Sequence, residues 1–212
     1  MIGLDIGEVE SGAFWLQFLR ELKQRGLQGV QLVISDQHEG LKAAIARTMS
    51  CPWQRCTVHF VRDMVMHCRR DQRNLVSAAL REVFNADNHA QAKHRVTEVL
   101  ERLASVAPKV CGLLEDAEED LIAFYQLPQD HWAKLRSTNP LERVNKEIGR
   151  RTDVVGIFPK DAAAIRLAGA LLAEQNDEWL VARRYLSAES MVLILTRPPA
   201  ELDTVQELPL AA

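Results

Sequence analysis

The first sixty residues alternate between short apolar runs and longer segments of helical periodicity, and this alternation limits the possible fold more than any other feature. We expect strands over residues 2–6, 30–35 and 54–58 and helices over residues 12–25 and 38–49. Ser11 is placed to cap the first helix, and Gly26 follows its last turn. Strands joined through helices run parallel, so the pattern predicts an α/β fold with a mainly parallel sheet covered by helices.

The pattern changes after residue 59. Strand signals disappear from residue 60 to about residue 135, where apolar residues recur at helical spacing. We interpret this stretch as an all-α insertion subdomain of four or five helices. The sequence therefore predicts four parts. Residues 1–59 form the strand-helix-strand-helix-strand unit, and residues 60–136 form the all-α insertion. Residues 137–197 contain a basic helix from Asn139 and a long helix over about 161–178, and residues 198–212 are an acidic tail.

Charge is distributed in local patches. The formal net charge is -3, so the chain has no overall basic field that would attract nucleic acid. Residues 134–151 nevertheless carry six basic residues against two glutamates, and residues 55–73 carry five arginines against two aspartates. Such runs are typical either of a solvated helix face or of a local phosphate-binding surface.

The cysteines and apolar runs indicate the compartment. Cys51, Cys56, Cys68 and Cys111 do not have the spacing of a disulfide framework. The N-terminus has no basic-then-apolar leader, and no apolar run approaches the roughly 20 residues that span a bilayer. We therefore expect a cytoplasmic protein with reduced thiols that does not enter membranes.

Two acidic residues stand where a metal-dependent nuclease needs carboxylates. Asp36 follows the predicted strand 30–35, at the sheet edge where α/β folds bind ligands, although it could equally serve as a turn or N-cap residue. Glu142 lies in the first turn of the basic helix, where a capping box from Asn139 and Pro140 would also explain it. Glu142, Lys146 and Gly149 share one face of that helix, which suits a metal ion beside phosphates.

Several ordered segments resemble the mutator-type family of bacterial insertion-sequence transposases, within the DDE superfamily. The resemblance covers most of residues 3–186. It rests on residues 3–15 and 26–45 and on the segments 54–60 (QRCTVHF), 139–145 (NPLERVN) and 151–159 (RTDVVGIFP). It implies an RNase H-like catalytic fold, interrupted by an all-α insertion between the second aspartate and the glutamate of the family's triad.

The resemblance also implies roles for individual residues. Asp36 corresponds to the second catalytic aspartate and Glu142 to the catalytic glutamate, which together would bind Mg²⁺ or Mn²⁺. Cys56 and His59 correspond to the family's Cys-x-x-His signature. The expected DNA-backbone contacts are Arg143, Lys146, Arg150 and Arg151. The implied partners are double-stranded DNA (terminal inverted repeats and target DNA) and further transposase subunits, in a homo-oligomer or with a full-length transposase at the nucleoid.

The signature residues and two tryptophans have alternative interpretations. Cys-x-x-His can be half of a zinc site, and Cys51, His67 and Cys68 lie nearby, but no second half has conventional ligand spacing. A packed thiol and a histidine that contacts phosphate or an acidic neighbour fit the spacing better. Trp53 and Trp132 could stack on flipped bases, although burial in the insertion subdomain is the simpler expectation.

One catalytic aspartate of the family has no counterpart here. Asp5 is a candidate by its Gly-Leu-Asp-Ile-Gly context, but a helix follows within about six residues, which makes residues 2–6 the third strand of the fold rather than the catalytic first strand. The fold is thus expected to be incomplete, with its first strands missing. We expect a truncated reading frame or a fragment with little or no strand-transfer activity alone.

Three hypotheses follow for function. The first is DNA transposition, through metal-dependent phosphodiester cleavage and strand transfer at insertion-sequence ends. The second is a non-catalytic DNA-binding or assembly module that modulates a full-length transposase. The third, an unrelated metal-dependent nuclease, requires Asp5 to lie close to Asp36 and Glu142 in space.

Overall fold

A computed structural model describes residues 1–7, 9–181, 186 and 188–195 of the chain. This part is mostly helical and contains one small parallel sheet, which is compatible with the expected α/β class. The predicted acidic tail, 198–212, lies outside the described residues. Within the described residues, none of the helices combines the length and the apolar character that crossing a membrane requires.

The elements follow one another in a simple order. The strands are β1 (Val33–Ser35) and β2 (Trp53–Arg55). The helices are α1 (Gly12–Gln24), α2 (Glu39–Thr48), α3 (Thr57–Met66), α4 (Arg73–Val83), α5 (His89–Leu103), α6 (Pro108–Ile122), α7 (Trp132–Leu135), α8 (Asn139–Val155), α9 (Asp161–Val181) and α10 (Ala188–Leu195). Short 3-10 helices occupy Ala123–Gln126 and Gln129–His131.

The first layer is built from α1, α2 and the sheet. The side chain of Ser11 caps α1 by accepting from the backbone N–H of Phe14, and Gly26 adopts a φ of 101° just after the helix, as predicted. Strand β1 pairs in parallel with β2, with Ile34 opposite Gln54. Buried residues of both helices and of β2 form the core of this layer: Leu19, Leu22, Ala44, Ile45, Met49 and Trp53.

Helices α3 to α6 form the second and larger core. The apolar faces of these four helices, together with the 3-10 helix Ala123–Gln126, bury a continuous cluster that includes Phe60, Leu80, Val99 and Leu121. The strand-free helical pattern predicted for residues 60 to about 135 is therefore present in the structure. That this part is an insertion into a catalytic fold stays a prediction.

Gln54 joins the two layers. Its side chain is fully buried, and its amide nitrogen donates to the carbonyl oxygens of Leu121 (2.9 Å) and Arg55 (2.7 Å). Its amide oxygen accepts from the backbone N–H of Phe124 at 2.9 Å. One side chain in the sheet thus satisfies two main-chain groups at the end of α6, which fixes β2 against the helical part.

Residues 2–6 are not a strand, contrary to the prediction. They run as irregular chain beside α1, where Gly3 lies against Phe18 and Leu22 and the guanidinium of Arg25 donates to the carbonyl oxygen of Ile2 at 2.8 Å. A strand needs a neighbour for its backbone hydrogen bonds, and the sheet formed by the described residues contains only β1 and β2.

The other two predicted strands are shorter than expected. The stretch 30–35 is a strand only over Val33–Ser35. The stretch 54–58 is a strand only as far as Arg55, because Cys56 is the N-cap of α3 and residue 57 already belongs to that helix. The turn is held by Thr57, whose backbone N–H and hydroxyl both donate to the carbonyl oxygen of Arg136 at 2.9 Å.

Candidate functional site

Asp36 lies at the carboxyl end of β1, where the chain leaves the sheet. The preceding residue, Ser35, accepts a bond from the indole N–H of Trp53 at 2.8 Å and donates its hydroxyl to the carbonyl oxygen of Asp36 at 2.9 Å. Asp36 does not cap the next helix, because the N-cap of α2 is His38, whose Nδ1 accepts from the backbone N–H of Leu41 at 3.0 Å. The Asp36 carboxylate is therefore not needed for capping.

His59 lies in the first turn of α3, beside Asp36. The sheet ladder continues one residue beyond β2, because the N–H of Cys56 donates to the carbonyl oxygen of Ser35 at 2.8 Å. This contact places the start of α3 next to the end of β1. The Nδ1 of His59 is 2.5 Å from a carboxylate oxygen of Asp36, and its Nε2 is 3.3 Å from Glu142 Oε1.

Glu142 reaches the same place from α8. That helix begins at Asn139 with Thr138 as its N-cap, so Glu142 is four residues beyond the cap and the predicted capping box from Asn139 is wrong. The hydroxyl of Thr138 lies 3.3 Å from Glu142 Oε1 and 3.0 Å from Asp36 Oδ1. The carboxylate of Glu142 thus shares the Thr138 hydroxyl with Asp36 and does not form a capping box with Asn139.

The two carboxylates therefore meet in space. Asp36 and Glu142 contact the same threonine hydroxyl, Thr138, and the same imidazole ring, His59. Their side chains keep 53% and 40% of their accessible surface, whereas His59 keeps 20%. Solvent and a ligand can reach the acidic groups while the residues between them are held in place.

The site is anchored to the protein through the segment that precedes α8. The backbone N–H of Thr138 donates to the sulfur of Cys56 at 3.4 Å, and Arg136 accepts two bonds from Thr57. The guanidinium of Arg136 in turn donates to the carbonyl oxygen of Phe84 at 2.9 Å. Strand β1, helix α3 and helix α8 are thereby tied together at one point, although they are distant in sequence.

The donor set suits a divalent cation. Carboxylate oxygens are the ligands that Mg²⁺ and Mn²⁺ prefer, and two ions in a nuclease site lie about 3.5–4 Å apart. Two exposed carboxylates beside one hydroxyl fit that requirement, with water to complete the coordination. Three potential ligand atoms, on Asp36, Cys56 and His59, also lie within 4.8 Å of one another.

The basic residues of α8 follow Glu142 along the helix. Arg150 and Arg151 both donate to the exposed carboxylate of Glu147, with the shortest contacts at 2.7 Å and 2.9 Å. These bonds, chiefly that from Arg150, lower the pKa of Glu147 to about 2. Arg143 and Lys146 are exposed on the same helix, one and four residues beyond Glu142. The structure contains no DNA, so the predicted phosphate contacts of all four residues stay predictions.

The other candidate residues make different contacts. The side chain of Asp5 accepts from the backbone N–H of Ile6, and Asp5 is not part of the one metal-ligand cluster found among the described residues. Cys51, His67 and Cys68 do not form such a cluster either. Trp53 is buried in the first layer instead of the predicted insertion subdomain. Trp132 is half-buried and packs against Phe124 and Tyr125 in the helical part, so the expected burial is confirmed for Trp53 and is partial for Trp132.

The sequence predicted a packed thiol at Cys56 and a histidine that contacts phosphate or an acidic neighbour, and the structure agrees, because Cys56 is fully buried and His59 contacts Asp36. The sequence interpretation missed Thr138 and the second contact of His59, with Glu142. Thr138 stands directly before the Asn-Pro pair that opens α8, and this N-cap position was a usable signal for a hydroxyl at the helix start. The contact between His59 and both acidic residues depends on the docking of three elements and has no local sequence signal.

Comparison with known proteins agrees with the resemblance seen in the sequence. Residues 1–182 match the family model described as "Transposase, Mutator family". The "Transposase for insertion sequence element IS1081" of Mycobacterium tuberculosis is 41% identical over 208 residues, which is 98% of this chain and 49% of the relative.

More distant relatives are also insertion-sequence transposases by name. The "Transposase for insertion sequence element IS406" of Burkholderia multivorans is 38% identical over 189 residues (88% of this chain, 49% of the relative). The "Transposase for insertion sequence element IS256 in transposon Tn4001" of Staphylococcus aureus is 35% identical over 191 residues, with the same coverage of 88% and 49%. The chain thus spans about half the length of the curated relatives it matches.

Proposed function

The chain belongs to the mutator family of transposases, and from this premise we propose that it acts in DNA transposition through metal-dependent cleavage and strand transfer at insertion-sequence ends. The observation that carries the proposal is the meeting of Asp36 and Glu142, which both lie within 3.3 Å of the Thr138 hydroxyl. Family membership also removes the premise of an unrelated nuclease.

An RNase H-like arrangement is part of this proposal. It is supported by the parallel pair β1–β2, by the carboxylate at the end of β1 and by the helices that separate it in sequence from Glu142. Among the strands of the described residues, β1 pairs only with β2. An RNase H-like sheet would add a further strand at the other edge of β1. In such a fold a neighbouring strand would contribute the third carboxylate that the family resemblance implies.

Each side chain of the site has a proposed task. Asp36 and Glu142 hold Mg²⁺ or Mn²⁺, which when bound would activate a hydroxyl nucleophile and stabilise the leaving oxygen of the phosphodiester. Thr138 and His59 fix the orientation of the carboxylates through the contacts described above. Arg143, Lys146, Arg150 and Arg151 bind phosphates of double-stranded DNA on either side of the reacting group.

The catalytic proposal can be tested in a chimera. The matching 208 residues of the mycobacterial relative are replaced by this chain, and excision of that relative's own element is measured in cells. We expect excision to occur and to fall at least about 100-fold in Asp36→Asn and in Glu142→Gln, the scale of losing a charge-stabilising group at a reacting centre. Glu115→Gln, an exposed change on α6, is the matched control. Excision that persists in both site variants contradicts the assignment.

The DNA contacts have a separate test with the isolated chain. The affinity of the chain is measured for duplex DNA that carries the sequences flanking its own gene. The salt concentration is varied from roughly 50 to 200 mM, a range over which affinity that depends on phosphate contacts falls steeply. We expect Arg143→Gln and Lys146→Gln each to reduce the slope of log affinity against log salt by about 1. Lys109→Gln, an exposed change on α6, should leave the slope unchanged. An unchanged slope in the α8 variants would remove these contacts.

A second function, assembly with another transposase subunit, is favoured by one surface. At the end of α8, Val154, Val155 and Ile157 expose 81%, 52% and 91% of their surface, and such apolar groups are typical of interaction sites. On this proposal the chain forms a homo-oligomer or joins a full-length subunit through these side chains. Ile157→Asn should then shift the sedimentation of the chain toward the monomer. A wild-type chain that is monomeric and does not associate with the mycobacterial relative would contradict this second function.

A further inference from the structure

We propose that Asp36, Cys56 and His59 form a second mode of metal binding, selective for a thiophilic cation such as Zn²⁺. Their potential ligand atoms (a carboxylate oxygen, a sulfur and a ring nitrogen) lie within 4.8 Å of one another. The spacing of the cysteines and histidines did not suggest such a site, because the third ligand comes from the end of β1 and not from a second Cys-His pair.

The ligand types select the metal. Zinc bonds of about 2.0–2.3 Å to nitrogen, oxygen and sulfur place tetrahedral donor atoms roughly 3.3–3.8 Å apart, which is within the span of this cluster. Thiolate sulfur and imidazole nitrogen favour zinc, whereas Mg²⁺ and Mn²⁺ favour oxygen. Closing the cluster around an ion requires Asp36 and His59 to separate from their present 2.5 Å contact, which the half-exposed Asp36 side chain permits.

The position of Cys56 supports a ligand role. Its side chain is fully buried, and its sulfur accepts the backbone N–H of Thr138 at 3.4 Å. Outer hydrogen bonds of this kind orient a ligand and stabilise the negative charge that metal binding requires. Cys56 is the N-cap of α3 and His59 is three residues later, so both side chains project from the same end of the helix.

The two modes of metal binding share Asp36, which has a consequence for regulation. This step rests on the proposed function, because it assumes that Asp36 and Glu142 hold Mg²⁺ or Mn²⁺ during catalysis. A zinc ion held by Asp36, Cys56 and His59 removes one of the two carboxylates from the catalytic ions. Zinc is therefore a competitive antagonist of Mn²⁺ at this site and an inhibitor of DNA cleavage.

Cobalt spectroscopy of the full 212-residue chain tests the ligand set. Co²⁺ replaces Zn²⁺ in sites of this type, and a cysteine ligand gives a thiolate-to-cobalt charge-transfer band in the near ultraviolet. We expect this band in the wild type at one equivalent, its loss in Cys56→Ser and its retention in Cys111→Ser, a half-buried cysteine outside the cluster. Absence of the band in the wild type, or its persistence in Cys56→Ser, overturns the proposal.

Circular dichroism will show whether Cys56→Ser folds. If it does not fold, a second variant tests the ligand set. His59→Gln should weaken Zn²⁺ binding, measured by competition with a chromophoric chelator, by more than the roughly 10–100-fold that loss of an outer partner of a ligand costs. His94→Gln, an exposed histidine on α5, is the matched control. Equal zinc affinity in the His59 and His94 variants also overturns the proposal.

Mn²⁺ electron paramagnetic resonance separates this inference from the proposed function. One equivalent of Zn²⁺ should release Mn²⁺ bound to the wild type but not Mn²⁺ bound to Cys56→Ser. Failure of Zn²⁺ to displace Mn²⁺ in the wild type overturns the antagonism. A wild type that shows the cobalt band but never binds Mn²⁺ contradicts the proposed function and leaves the thiophilic site intact.

Discussion

Gln54 connects the sheet to the helical part through buried hydrogen bonds. The loss of stability on replacing Gln54 can be estimated from those bonds. In Gln54→Leu the side chain keeps a similar volume, but the N–H of Phe124 and the carbonyl oxygen of Leu121 lose their side-chain partner in the interior. Each buried polar group left unpaired costs about 1–3 kcal/mol, so for these two groups we expect a loss of roughly 2–6 kcal/mol in the free energy of unfolding. This is a large share of the about 5–15 kcal/mol that stabilises a typical domain.

Urea denaturation followed by circular dichroism measures this cost. The matched control is Gln17→Leu, an exposed change on α1 that removes only a contact with Glu21 and should stay within about 0.5 kcal/mol of the wild type. Gln54→Glu should be worse than Gln54→Leu, because it places a carboxylate oxygen against the carbonyl oxygen of Leu121. If Gln54→Leu costs no more than Gln17→Leu, Gln54 does not hold the two layers together.

Two further predictions concern the site and helix α8. Thr138→Val removes the hydroxyl between Asp36 and Glu142 at nearly constant volume, so the Mn²⁺ affinity measured by calorimetry should fall about 10-fold or more. The control Thr97→Val, on the exposed face of α5, should not change the Mn²⁺ affinity. Equal Mn²⁺ affinities in the two variants would show that Thr138 does not position the carboxylates. For Glu147, whose pKa the bonds from Arg150 and Arg151 lower to about 2, the favourable pairing is complete at neutral pH and is lost only as the pH falls through about 2. A carbon-13 NMR titration should therefore find the Glu147 carboxylate ionised at pH 3 to 4, roughly where an unperturbed glutamate titrates. In Arg150→Gln the pKa of Glu147 should be higher than in the wild type. An unperturbed pKa of Glu147 in the wild type would contradict the ion pairs.

Local signals in the sequence predicted the helices well. Ser11 and Gly26 mark the ends of α1, and Ala44, Ile45 and Thr48 line the buried face of α2 as their spacing indicates. These features depend on residues within one or two helical turns of each other, so the local sequence is sufficient to predict them.

The strands were predicted less well because pairing is not local. Residues 2–6 have strand-like composition but no strand beside them among the described residues, and residues 57–58 enter α3 because Thr57 bonds to Arg136, 79 positions away in the sequence. A β-branched composition favours a strand only where a neighbouring strand can accept its hydrogen bonds.

The candidate site was predicted in its residues but not in its assembly. The family resemblance selected Asp36, Cys56, His59 and Glu142 individually, and for Glu142 the local pattern favoured a capping box that the structure does not contain. The contacts of His59 with both carboxylates and the bridge through Thr138 arise from the packing of β1, α3 and α8, which no single segment encodes.

If Asp36 and Glu142 together hold a divalent cation, both carboxylates must contribute to the binding of Mn²⁺ by the full chain. Electron paramagnetic resonance titrations would compare the wild type with Asp36→Asn, Glu142→Gln and the double variant, with the exposed Asp5→Asn as control. We expect wild-type affinity in Asp5→Asn, a loss of about 10-fold or more in each single site variant and no measurable binding in the double variant. A double variant that binds Mn²⁺ as tightly as the wild type would show that Asp36 and Glu142 are not the metal ligands.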